Sequence, residues 1–261
     1  MVFNLYNKVQ RRVGCILLFY LLTFLPTALC AQVGVYRNNL AIGVNGGYVM
    51  DKVSFVPSVP QKMMGGITGG LSVRYTSEKY FNSICAITAE FNYAQMGWNE
   101  DILDINNDPI YYVDDVDKTN PLYYKRRMTY LQVPLLARMG WGREEKGFQF
   151  FIQLGPQIGC FLNESTDTNI EYGRATQNQR ISTVVAQEDM PVEKKFDYGI
   201  TGGLGLEYSH PKLGHFLVEG RYYFGLGNIY GNSKSDYFAR SNHGAIVVKM
   251  SYLFDVFKTK N

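Results

Sequence analysis

Residues 148–158 read Phe-Gln-Phe-Phe-Ile-Gln-Leu-Gly-Pro-Gln-Ile. In an extended chain successive side chains point to opposite sides. Phe148, Phe150, Ile152, Leu154 and Ile158 then share one face, and Gln149, Gln153 and Gln157 share the other. A period of two excludes an amphipathic helix, whose apolar positions recur at three and four. The same period continues outward along the chain. Tyr198, Ile200, Leu204, Leu206 and Tyr208 oppose Asp197, Thr201, Glu207 and Ser209. Phe216, Val218, Tyr222, Phe224 and Leu226 oppose Glu219, Arg221 and Tyr223. Ile246, Val248, Met250, Tyr252 and Phe254 oppose Lys249 and Ser251, and Leu131, Val133, Leu135, Ala137 and Met139 oppose Tyr130, Gln132 and Arg138.

Eight stretches of this kind are expected, at 40–49, 64–75, 84–97, 125–140, 147–161, 196–209, 214–227 and 243–256. A soluble β-sandwich alternates too. Two features favour a membrane barrel. The stretches run to about 10–16 residues where soluble strands average five or six, and a tilted membrane strand needs about 9–11. Connection lengths also alternate. Short turns are expected at 76–83, 141–146 and 210–213, and long loops at 50–63, 98–124, 162–195 and 228–242. Short turns at one end and long loops at the other describe an outer-membrane barrel. The expected fold is all-β, an eight-stranded antiparallel up-and-down transmembrane barrel.

Composition agrees. Of 261 residues, 20 are Tyr, 16 Phe and 26 Gly, a balance that suits strands and turns better than a helical bundle. Two aromatic girdles are expected. Tyr75, Tyr80, Phe81, Trp141, Phe148, Tyr208, Phe216 and Tyr252 would mark the turn side, and Tyr48, Tyr93, Trp98, Tyr123, Tyr124 and Phe161 the loop side.

Residues 1–31 read as a secretory signal peptide. Lys8, Arg11 and Arg12 precede an apolar run from Val13 to Leu25, and Ala28-Leu29-Cys30-Ala31 offers a cleavage site before Gln32. The run is shorter than the ~20 residues a spanning helix needs. The barrel domain is then 32–261. The first 31 residues hold three bases and no acid, so 26 basic residues fall to 23, against 23 acidic ones. The formal charge of +3 therefore carries no argument for nucleic-acid binding. Cys85 and Cys160 remain, and the strand assignment puts them at opposite barrel ends, where they cannot pair.

Tyr130-Leu131-Gln132-Val133-Pro134-Leu135-Leu136-Ala137-Arg138 resembles the Y-L-E-I-P-L-L-x-K segment of the PorT-like outer-membrane β-barrel proteins of Bacteroidetes. Asp197-Tyr198-Gly199 through Gly203-Leu204-Gly205-Leu206-Glu207 is similar to that family's glycine-rich strand. Arg221-Tyr222-Tyr223 through Gly225-Leu226-Gly227-Asn228-Ile229 resembles its R-Y-x-x-G-L-x-N-I segment. Gln132 stands where the family usually has Glu. The resemblance implies a barrel of the outer membrane. The family's founding member takes part in protein secretion by the type IX system, and the matched residues here build the barrel and form no site.

An eight-stranded barrel is just wide enough inside for its own side chains. The polar faces place Arg74, Glu90, Gln132, Arg138, Gln149, Gln153, Gln157, Glu207, Glu219, Arg221 and Lys249 in the lumen. Buried charges must pair. A polar network formed by Arg74, Glu90, Arg138, Glu207, Glu219, Arg221 and Lys249 is expected to plug the barrel. The expected role is structural or interaction-based, with long loops at 98–124 and 162–195 exposed to partners. A narrow solute porin, or an accessory of type IX-like secretion, is the alternative.

No enzyme is expected. Of His210, His215 and His243, the first two flank a turn, and His243 lies near Ser241 with no evident carboxylate to orient it. The reading assigns no catalytic residue, no cofactor and no metal. Asp104-x-Asn106-x-Asp108 has calcium-loop spacing, but Pro109 and Asp115 occupy the positions that need Gly and Glu. Lys125, Arg126 and Arg127 sit where strand four meets the outer leaflet, and are assigned to lipopolysaccharide phosphates. The expected partners are outer-membrane lipid and lipopolysaccharide, the barrel-assembly machinery (through Tyr252-Leu253-Phe254) and a protein at the loops. Residues 255–261 would form a short tail.

Overall fold

The computed structural model describes residues 35–80, 82–111, 119–170, 180–231 and 236–258. The signal-peptide expectation for 1–31, and Phe81, lie outside them. The strands are β1 (Val35–Val56), β2 (Gln61–Tyr80), β3 (Ser83–Asp101), β4 (Tyr123–Gly142), β5 (Gly147–Thr168), β6 (Phe196–His210), β7 (Gly214–Gly225) and β8 (Arg240–Phe257). They close into one barrel in sequence order. Neighbouring strands are antiparallel, and β8 closes back on β1 from Ala41↔Asp255 to Val56↔Arg240. A four-residue helix, α1 (Ala186–Asp189), lies in the connection between β5 and β6.

The burial pattern is that of a soluble protein turned inside out. Phe148, Leu154 and Met250 are 69%, 61% and 66% exposed on the outer face, while Gln149, Gln153, Gln157 and Lys249 are buried. Only a hydrocarbon surround makes such an exterior favourable. The apolar exterior is a band. On β3 it runs from Ile87 to Tyr93, on β4 from Leu131 to Met139, and on β8 from Ile246 to Phe254. Toward the loops, Gln95–Asp101 of β3 and Tyr123–Thr129 of β4 therefore stand beyond the band.

Aromatic pairs border it at the turn end. Trp141 stacks on Phe150, Phe148 meets Tyr208, and Phe216 meets Tyr252. The turn at 211–213 ends on Gly214, whose φ of 86° lies in the left-handed region that glycine enters without strain.

Three expectations about the strands are corrected. The first connection is 57–60, not a loop over 50–63. β1 continues because Val49, Asp51, Val53 and Phe55 keep the period of two with their side chains buried. Only β1–β2 at the loop end is tight. The connections 102–122, 169–195 and 226–239 are long. β7 stops at Gly225, and β8 runs to Phe257, so Asp255–Phe257 are strand and not tail. Finally, Trp98 and Tyr124 are fully buried and belong to no girdle. Cys85 lies near the turn end of β3 and Cys160 near the loop end of β5, both as free thiols.

Candidate functional site

The barrel interior is layered from the turn end to the loop end. All seven charged residues assigned to the lumen are buried there. In the first layer Glu207 of β6 accepts from Arg74 NH1 at 2.7 Å and from Arg138 NH2. Its other oxygen lies 2.7 Å from His215 Nδ1 and accepts from Ser209 Oγ at 3.1 Å. His215 Nε2 is 3.1 Å from Asp255 Oδ1. The Arg138 guanidinium lies over the Phe151 ring at 3.7 Å, which stabilises the cation where water is scarce.

The second layer is a crossed set of ion pairs. Arg221 reaches Glu90 through both terminal nitrogens, at 2.9 and 2.6 Å, and Glu219 at 2.6 Å. Lys249 Nζ is 2.6 Å from Glu90 Oε2. Neutral amides complete the layer. Asn92 donates to Glu90 at 2.9 Å, Asn45 donates to Asn92 at 2.9 Å, and Gln153 donates to Glu219 at 2.6 Å. Two acids meet two bases here, so the layer is neutral.

Glycines on the inner face of β6 make room for these groups. A Cβ at Gly205 would stand 2.5 Å from Phe151 Cζ, and one at Gly203 would stand 2.8 Å from Arg221 Cγ. The Gly-rich stretch is thus an interior clearance, required because a small barrel holds little but its own side chains.

A third layer holds His243. Its Nδ1 lies 2.7 Å from Asp51 Oδ2 and its Nε2 lies 3.2 Å from Tyr130 Oη. This corrects the expectation that no carboxylate orients His243. Asp51 falls in the stretch 50–63 expected as a loop, and it lies in β1 instead. The pair is fully buried, and Ser241 Oγ accepts from the backbone N–H of Tyr230 at 3.1 Å. Beside it Tyr223 donates to Asp197 at 2.7 Å.

Above these layers the extended strands and the loops enclose an apolar cap. Phe55, Trp98, Tyr124, Tyr230 and Phe238 pack together with Val53, Ile102, Ile110, Leu122, Ile170 and Val192. Arg126 is the polar centre of the cap. Its Nε is 2.9 Å from Glu164, and its NH1 donates to the carbonyls of Gln187 and Met190 and to Tyr230 Oη. At 5% exposure it cannot meet lipopolysaccharide. The assigned trio is therefore split. Successive strand residues face opposite ways, so Arg126 points inward while Lys125 and Arg127 face out.

α1 docks on the same cap. Gln187 Nε2 and Trp98 Nε1 both donate to Glu100 Oε1 at 3.1 Å, and Arg180 pairs with Glu188. Among the described residues no cation is bonded to Glu100. Burial therefore pushes its carboxyl up to about 7, and the Glu188 charge adds to the rise. In the preceding loop Asp104 Oδ1 accepts from the backbone of Asn106 and Asp108 at 2.8 and 2.9 Å, so the calcium-like triplet closes its own turn. Among the described residues no group of three or more acids, His or Cys is placed to hold a metal.

Two small lumen cavities, of about 30 and 20 Å³, are lined by different residues. The first sits in the first layer, and the second lies between the ion pairs and the cap.

Residues 30–231 match the family model described as an outer membrane protein beta-barrel domain. No curated protein matches. Among solved structures the chain is similar to OprG from Pseudomonas aeruginosa at 14% identity and a TM-score of 0.41, covering 85% of this chain and 98% of that one. It is similar to Ail, the attachment invasion locus protein of Yersinia pestis, at 14% identity and a TM-score of 0.36, covering 82% and 98%. It is also similar to Neisserial surface protein A at 10% identity and a TM-score of 0.36, covering 82% and 99%.

Proposed function

We propose, for a chain that belongs to the outer membrane protein beta-barrel domain family, a structural or interaction role: its lumen is closed by its own side chains and its loop end meets partners outside the cell. One observation carries this reading. The neutral ion-pair layer of Glu90, Glu219, Arg221 and Lys249 is overlaid by the cap, and the cavities on its two sides share no lining residue. A solute would have to break buried ion pairs, each costly to separate. Planar-bilayer recording of the purified protein tests it. A silent bilayer is the expected result, and steady conductance steps would establish the narrow porin instead.

The finer readings stand with it. Residues 1–31 are read as a cleaved signal peptide, which N-terminal sequencing of the outer-membrane form checks. The PorT-like resemblance supports kinship with that group, and a deletion strain that stops secreting surface proteins would add a role in export. Lys125 and Arg127 are assigned to lipopolysaccharide phosphates. They face outward just beyond the apolar band of β4, with Lys125 Nζ 4.8 Å from the centre of the Tyr123 ring. Assembly into the membrane would use the barrel-assembly machinery, with Tyr252-Leu253-Phe254 as its recognition segment.

A further inference from the structure

We propose that the turn end of the lumen binds one small inorganic anion beside Arg74 and Arg138. The argument is charge balance in a confined space. Arg74 and Arg138 are both buried, at 6% exposure, and both use the same oxygen of the same carboxylate, Glu207 Oε2. Two guanidiniums therefore share one negative charge. The neighbouring acid and base cancel. His215 has a carboxylate oxygen within 3.1 Å of each ring nitrogen, an arrangement that only the doubly protonated ring satisfies with donors on both sides. Its charge is matched by Asp255. At the rim Glu144 pairs with Lys79, and Lys258 with Glu145, both at 3.8 Å. Among the described residues one positive charge is left over, and it belongs to the arginine pair.

The second layer does not absorb it. Glu90 and Glu219 are matched there by Arg221 and Lys249. Arg74 Nε has no partner among the described residues. A small cavity of about 30 Å³ lies against Arg74 and Arg138 and reaches the turn-end rim at Asp255 and Lys258. An unbalanced buried charge beside a cavity with a route to solvent draws a counter-ion. Phosphate matches the guanidinium fork, and chloride needs less room.

The test uses the full chain folded in zwitterionic detergent micelles. Urea unfolding is followed by the shift of the unboiled band on a gel. Sodium phosphate or sodium chloride replaces a bulky sulfonate buffer at constant ionic strength. At an anion concentration ten times its Kd, the unfolded-to-folded ratio is expected to fall about tenfold, and to go on falling in proportion to the concentration above that. Gln149 lines the same cavity and accepts from Arg138 NH2 at 3.4 Å. Gln149→Glu places the missing charge inside the protein and is expected to abolish the response. Arg74→Gln removes the surplus and is expected to do the same, so either variant that folds decides the matter. A wild type indifferent to both anions, or a response undiminished in the folded variant, would overturn the proposal. The relative size of the phosphate and chloride responses identifies the ion.

Discussion

Arg221 of β7 and Glu90 of β3 face each other across the barrel axis as a bidentate pair, NH1 to Oε2 at 2.9 Å and NH2 to Oε1 at 2.6 Å. Lys249 of β8 shares that carboxylate at 2.6 Å. The acid of β3 thus ties that strand to β7 and β8 on the far side of the sequence. Glu90→Gln leaves Glu219 as the single acid for two buried cations, and the cost is expected at about 3–5 kcal/mol. Urea unfolding in micelles, read as the band shift, measures it. A loss below about 1 kcal/mol would mean that the lumen charges are solvated after all.

Gly205→Ala is expected to destabilise the barrel by about 1–3 kcal/mol, because the new methyl meets the Phe151 ring and the Val218 carbonyl in a filled interior. Phe151→Leu alone opens a gap and removes the ring beneath Arg138. Combined, the two changes are expected to cost less than their sum, because each relieves the other. Strict additivity in the same unfolding assay would show that the glycine serves the backbone and not the ring.

Much of this arrangement was legible in the sequence. Lipid-facing and lumen-facing residues follow from a period of two, so Gln149, Glu219, Arg221 and Lys249 could be placed inside from spacing alone. The period also placed all eight strand centres. It did not give the strand ends. Asp51-Lys52 interrupts an apolar run and so has the pattern of a loop, yet Asp51 is the inward partner of His243. The cap was illegible for a related reason. Trp98 and Tyr124 have the composition of girdle residues, and only the extension of β3 and β4 beyond the band turns them inward. Loop residues such as Val192, Tyr230 and Phe238 reach the cap through long-range packing, which no local pattern encodes. For Lys125–Arg127 the alternation itself is decisive, since it forbids three consecutive strand residues from sharing a face.

That split can be tested. Lys125→Gln with Arg127→Gln is expected to leave the unfolding midpoint within about 0.5 kcal/mol of wild type, as for most surface changes, while lowering the lipopolysaccharide that co-purifies with the barrel. Arg126→Gln is expected to do the reverse. It strips the cap of its ion pair with Glu164 and of donors to two carbonyls, a loss of about 3 kcal/mol, with lipopolysaccharide unchanged. Unchanged co-purification in the double variant would remove Lys125 and Arg127 from the lipid contact.

The cap is also expected to loosen as pH rises. Glu100 lies beyond the apolar band, buried against Trp98 and Gln187, with a carboxyl raised from 4.5 to about 7. Groups around it are acidic as well as basic: Glu188 raises it and Arg180 lowers it. The docked state therefore holds a proton that the undocked state gives up. By linkage, the stabilisation is fully present below about pH 4.5 and is lost as pH climbs through about 7, a difference of roughly 3 kcal/mol at most. Hydrogen exchange across residues 180–192, compared at pH 5.5 and pH 8.5 after correction for intrinsic rates, reads the docking directly. Protection is expected to fall at the higher pH. Glu100→Gln keeps an acceptor for both donors and cannot ionise, so its protection is expected to be the same at both values. Trp98 fluorescence offers a second readout, since the indole N–H loses a neutral acceptor and gains a charged one. A wild type with pH-independent protection, or a variant with the wild-type pH dependence, would place the titration elsewhere.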